Sequence, residues 1–126
     1  MDLKYLFRPS SMAVIGVSTT QNSHPANVIY TKNHLRYPVK TYAVNPKGGL
    51  LNREPLYQQL GDIDGPVDMA VIAVRAQFVP GVVEDCIKNG VRGAVIVSGG
   101  FSESGNHDLQ KKVTDIAREA DFPFVG

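Results

Sequence analysis

Tryptophan is absent and cysteine is nearly so: Cys86 is the one thiol in 126 residues. A single cysteine excludes an internal disulfide and suits a reducing compartment. Charge of one sign is also missing, since 13 Lys and Arg stand against 12 Asp and Glu, for a net charge of +1. That balance gives no bulk attraction to nucleic acid, so any anion site must be local. No apolar run approaches the length of a membrane span. Asp2, Lys4 and Arg8 interrupt the apolar residues at the start, so residues 1–11 do not read as a signal peptide. Repeats, low-complexity tracts and linker-like segments are missing too. One cytoplasmic, soluble domain over residues 1–126 is the expectation, with 43% hydrophobic residues to build its core.

What is present centres on Met12-Ala13-Val14-Ile15-Gly16-Val17-Ser18. A short apolar run without alternation suits a strand covered on both faces, as in parallel sheets. The glycine at its end permits positive φ and close approach of another backbone or a ligand. Ser23-His24-Pro25 then supplies a capping hydroxyl and a proline suited to a first helical turn. Strand, turn and helix start together form the first unit of a nucleotide-binding α/β fold, with helix amides placed to meet a phosphate.

The rest of the chain alternates in the same way. A helix is expected over Pro25 to Leu35, with Val28, Ile29, Lys32 and Leu35 on one stripe, closed by Tyr37-Pro38. Thr41 to Val44 reads as the second strand. Glu54 to Tyr57 is a candidate third strand on the sheet edge, where a proline is tolerated, and Gln58 to Ile63 has room for one or two helical turns. Val67 to Val74 and Gly93 to Ser98 are buried-strand candidates, and Phe122 to Val125 begins a last strand. Phe78 to Lys88 and the stripe Leu109, Val113, Ile116, Ala117 and Ala120 mark two amphipathic helices. Leu3, Leu6 and Phe7 form a short lead-in beside the first strand. This alternation predicts a doubly wound parallel sheet with right-handed crossovers and strand order 3-2-1-4-5-6, the third strand rudimentary.

Ligands of such sheets lie at the carboxyl ends of the strands, so four loops matter. The first, Gly16-Val17-Ser18-Thr19-Thr20-Gln21-Asn22-Ser23, lacks the second and third glycines of the dinucleotide fingerprint. Hydroxyl and amide groups replace them and can still donate to phosphate; a polar turn without ligand is the alternative. The second, Asn45-Pro46-Lys47, has a lysine near where an NAD site wants a carboxylate, which suits a phosphate and disfavours plain NAD. An exposed turn lysine is the plain reading. The third, Arg75-Ala76-Gln77, offers a cation that is either a phosphate clamp or a surface arginine, and no catalytic acid or base. The fourth, Ser98-Gly99-Gly100, allows a ligand to lie on bare backbone, though a turn would want the same glycines. No nucleophile, base and orienting group can be assembled, and His24, His34 and His107 have no partners at metal-ligand spacing. Cys86 falls on an apolar helical stripe and reads as an inert, buried thiol.

Read together, four blocks carry a resemblance. They are Leu6-Phe7-x-Pro9-x-Ser11-x-Ala13-Val14-Ile15-Gly16, Val44-Asn45-Pro46-Lys47, Val67-Asp68-x-Ala70-Val71-Ile72-Ala73-Val74, and Ser98-Gly99-Gly100-Phe101-Ser102-Glu103. In this order they resemble the CoA-binding domain of the NDP-forming acyl-CoA synthetases, relatives of the succinyl-CoA synthetase α subunit. The resemblance implies a Rossmann-like domain holding CoA along the carboxyl edge of the sheet. It also implies that Gly16 to Gln21, Asn45 to Lys47, Val74 to Ala76 and Ser98 to Gly100 surround the ligand. The family's reaction joins a carboxylic acid to CoA through an acyl phosphate and a phosphohistidine. The phosphohistidine and ATP-grasp domains that perform it lie outside residues 1–126, so this chain is expected to be a domain excised from a longer one, without catalytic residues or metal of its own. Two departures stand out: His24-Pro25-Ala26 replaces the family's glycine near the first helix, and Arg75 stands where many members have proline. The same module fused to a protein acetyltransferase, or acting alone as a CoA or nucleotide sensor, is an alternative. An NADP-dependent oxidoreductase domain would explain Lys47 but not the missing glycines.

Overall fold

Every residue of β1 (Ser11–Ile15) is buried, because the strand has a parallel neighbour on each side and a packed layer on each face. A computed structural model describes residues 3–18, 25–36, 39–51, 54–97 and 107–126. On one side β1 pairs with β2 (Lys40–Val44), Ile15 opposite Val44. On the other it pairs with β5 (Met69–Ile72), Ile15 opposite Ile72. Beyond β5 lie β6 (Ala94–Ile96) and β7 (Phe124–Val125), so the five-stranded parallel sheet runs β2-β1-β5-β6-β7.

Alternation within each strand divides the core in two. Ala13 and Ile15 of β1 face one way, with Ala70 and Ile72 of β5, Val79, Val83 and Cys86 of α3 (Val79–Lys88), and Val113 and Ala117 of α4 (His107–Glu119). Met12 and Val14 face the other way, with Met69, Val71, and Ala26 and Tyr30 of α2 (Pro25–Arg36). Helices thus cover both faces, which is why the strands read as unbroken apolar runs. The lead-in forms a short helix, α1 (Lys4–Phe7), whose Leu6 packs on the α2 face.

One expectation is corrected and two are met at least in part. The order 3-2-1-4-5-6 loses its third strand: β3 (Leu50–Leu51) and β4 (Glu54–Pro55) pair only with each other, antiparallel. Pro55 has no N–H for a longer ladder, and the third strand survives as one parallel bridge between Tyr57 and Val44. The stripe on α2 is met in part: Ile29 packs against the core, and the side chains of Lys32 and Leu35 lie outside the described residues. Val28 is 53% exposed, while Ala26, Asn27 and Tyr30 are buried. Alanine lets the helix lie close to the sheet, and tyrosine fills the space one turn on. Of the one or two helical turns expected over Gln58 to Ile63, one is present, as the 3₁₀ turn Leu60–Asp62. Tyr37 and Pro38, expected to end α2, lie outside the described residues.

Candidate functional site

The chain leaves β1 for α2 and β2 on one side, and reaches β5, β6 and β7 on the other. The reversal lies between β1 and β5, the place where α/β sheets open a crevice at their carboxyl edge. Gly16 sits there. Its φ is +105°, and a Cβ added to it would overlap the Ala73 carbonyl oxygen and lie 2.8 Å from that carbonyl carbon. The glycine is therefore required by the approach of the β5 backbone. Of the two close approaches the sequence allows at this glycine, another backbone or a ligand, the structure shows the first.

Hydrogen bonds draw the loops together around that point. The Gly16 N–H donates to the Val44 carbonyl at 3.2 Å, and the Ala73 N–H donates to the Ile15 carbonyl at 2.9 Å. Asn45 bridges the first two loops: its Nδ2 donates to the Val17 carbonyl at 2.6 Å, while its Oδ1 accepts the Lys47 N–H at 2.7 Å. The second bond closes an Asx turn that aims the chain past β2. Val97, after β6, donates its N–H to the Ile72 carbonyl at 2.9 Å. Three of the four expected loops thus converge at the described edge.

The side chains differ in what they can offer. Val17 is 1% exposed and packs in the α2 face of the core, so it presents only main-chain groups. Gly16, Ser18 and Asn45 are half-buried, Pro46 and Lys47 exposed. Arg75 is exposed between half-buried Val74 and Ala76, at the start of the 3₁₀ turn Ala76–Phe78. Residues 16–18, 45–49 and 73–78 contain two cations and no carboxylate. Among these described residues the charge is therefore positive only, with no carboxylate to act as a base. Thr19, Thr20, Gln21, Ser98, Gly99 and Gly100, together with the Ser23-His24 cap, lie outside the described residues.

One residue the sequence reading passed over takes part. Asn27 of α2 is 2% exposed. Its Oδ1 accepts the Ser18 N–H at 2.7 Å and its Nδ2 donates to the Ser18 carbonyl at 2.9 Å. An asparagine on an otherwise apolar helix face was the available signal. Elsewhere, Cys86 is fully buried, and burial, with the Asp85 carboxylate nearby, pushes its thiol up to about 12. Such a thiol is not a nucleophile at neutral pH. Among the described residues no cluster of His, Cys, Asp and Glu could hold a metal, and no helix is long and apolar enough to cross a membrane.

Comparison with known proteins agrees with this geometry. A family model described as a CoA binding domain matches residues 10–126. The ADP-forming acetate–CoA ligase of Methanocaldococcus jannaschii is 38% identical over 125 residues, covering 99% of this chain and 18% of that protein. The ADP-forming acetate–CoA ligase II of Archaeoglobus fulgidus is 40% identical over 127 residues, covering 99% of this chain and 19% of that one. Among solved structures, dinucleotide-forming acetyl-coenzyme A synthetase 1 of Ca. Korarchaeum cryptofilum, in complex with phosphate and ADP, superposes with a TM-score of 0.88 at 33% identity. That match covers 99% of this chain and 27% of the other. The chain thus spans about a fifth to a quarter of the length of these relatives.

Proposed function

Because this chain belongs to the CoA-binding domain family, we propose that it holds CoA across the carboxyl edge of its sheet, as one part of an acyl-CoA ligase. The observation that carries this reading is the meeting of three loops at Gly16, flanked by exposed Lys47 and Arg75 with no carboxylate among them. CoA is a polyanion with phosphates at two separate places, and two cations on separate loops suit it. Gly16, Val17 and Ser18 shape the first loop beside its phosphates. Asn45, Pro46 and Lys47 border it from β2, and Val74, Arg75 and Ala76 from β5. By the family resemblance, Thr19, Thr20, Gln21, Ser98, Gly99 and Gly100 complete the site.

When bound, CoA supplies the thiol that becomes a thioester. This chain's described loops bind and orient; they carry no group suited to activate a carboxylate. These ligases are more than five times the length of this chain, and we assign acid activation and nucleotide chemistry to further domains, those with the phosphohistidine and the ATP-grasp fold. The setting is cytoplasmic, where CoA and nucleotide meet. Calorimetric titration with CoA, dephospho-CoA, NADP and ATP tests the reading. CoA is expected to bind ahead of NADP and ATP, and a turnover assay with acid, ATP and CoA is expected to be silent. Preferential binding of NADP, or turnover by residues 1–126 alone, would overturn it.

A further inference from the structure

The geometry points to Asn27 as a positioning residue that shapes the first loop for CoA through Ser18, an assignment that rests on the CoA reading above. Its carboxamide meets both main-chain groups of a single residue, accepting from the Ser18 N–H at 2.7 Å and donating to its carbonyl at 2.9 Å. The N–H and C=O of one residue point the same way in extended chain. The Asn27 side chain therefore supplies the partner that a neighbouring strand would give, just where β1 has run past its pairing. One residue earlier, the Val17 carbonyl is held from the other loop by Asn45 Nδ2 at 2.6 Å. Two successive residues are thus pinned by side chains from two different elements, α2 and the β2 loop.

Core packing does not ask for an asparagine here. Asn27 is 2% exposed and lies beside Ala26, one turn from Tyr30, both of which belong to the same apolar core cluster as Met12, Val14, Val17 and Val71. An apolar residue of the same shape would serve that layer, since a buried amide adds little net stability and is costly when a partner is lost. What the amide adds is a defined direction for the Ser18 peptide. Binding to a loop held in advance avoids the entropy of ordering it at the moment of binding.

The test uses the 126-residue chain with Asn27→Leu, close in shape and unable to make either bond, and Asn27→Ala beside it. Both variants should keep a cooperative melt and lose CoA affinity by about tenfold, roughly the worth of one hydrogen bond. Amide exchange gives the signature of positioning. Ser18 N–H should be protected in the free wild type, exchange faster in the free variants, and recover protection when CoA is added. Wild-type binding with variants within twofold of it would overturn the assignment and leave the CoA reading standing. Loss of the cooperative melt in both variants would also overturn it, because Asn27 would then hold the fold. A wild type that binds no CoA overturns the CoA reading, and this assignment with it.

Discussion

Gly16→Ala should damage the fold before it damages the site. The alanine Cβ would overlap the Ala73 carbonyl oxygen and lie 2.8 Å from its carbon and 3.3 Å from Val74 Cγ1. The first two atoms are backbone of the neighbouring strand's exit and cannot swing aside as a side-chain tip can. Holding an L-residue at φ +105° adds strain of about 1–3 kcal/mol, and overpacking at a well-packed point adds about 1–3 kcal/mol. Relief by separating the strands would stretch the bond from the Ala73 N–H to the Ile15 carbonyl, now 2.9 Å. The expected cost is therefore about 2–6 kcal/mol, against a total of about 5–15 kcal/mol for an ordinary domain. For a chain of this size that lowers Tm by roughly 6–30 °C. Thermal melts followed by circular dichroism, with urea unfolding to obtain the free energy, measure the effect. A variant melting within 3 °C of the wild type (about 1 kcal/mol or less) would refute the packing argument and return Gly16 to a role set by the ligand alone.

Gly81 is the matched control: it lies exposed in α3 with open space where a Cβ would stand. Gly81→Ala should raise stability by about 0.5–1 kcal/mol in the same urea titration. Lys47→Ala removes an exposed cation from the β2 loop and should weaken CoA binding about ten- to a hundredfold at low salt, with the gap closing as salt rises. Comparing CoA with dephospho-CoA by calorimetry locates that contact: a loss confined to CoA marks the 3′-phosphate, and an equal loss for both marks the pyrophosphate. Cys86 should resist thiol reagents at pH 8 until the chain unfolds, since burial holds its thiol near 12. The unfolded chain gives up that proton at about 9.0, so the folded state binds more protons between these values. This contribution is therefore complete below about pH 9 and falls as pH rises toward 12, which urea titrations of the wild type and Cys86→Ala across pH 8–10.5 would measure by difference.

Much of the fold was legible because its strands are doubly covered. Met12 to Ile15 and Met69 to Ile72 are apolar at every position, and that pattern has few explanations other than a central parallel strand. The edge was not legible. Glu54 to Tyr57 has strand-like composition, yet its pairing depended on which partner could reach it, and β3 took Glu54–Pro55 while only Tyr57 met Val44. The buried face of α2 was partly misread, because apolar spacing favoured Val28, whereas the helix turned Ala26, Asn27 and Tyr30 inward. Side-chain size at closest approach decided the rotation, and periodicity does not carry that information.

The sequence by itself determined the element order, the two-faced core and the loops that carry Gly16, Asn45, Lys47 and Arg75, because these follow from local hydrophobic pattern and the residues that end strands. Family membership was also legible there, from four short blocks in register. Only the tertiary structure decided why each residue is needed. It placed the Ala73 backbone against Gly16, turned Val17 into the core, and joined Asn45 to Val17 and Asn27 to Ser18. These are contacts between segments brought together by strand order, and a residue's own neighbours in the chain hold no record of what folds against it.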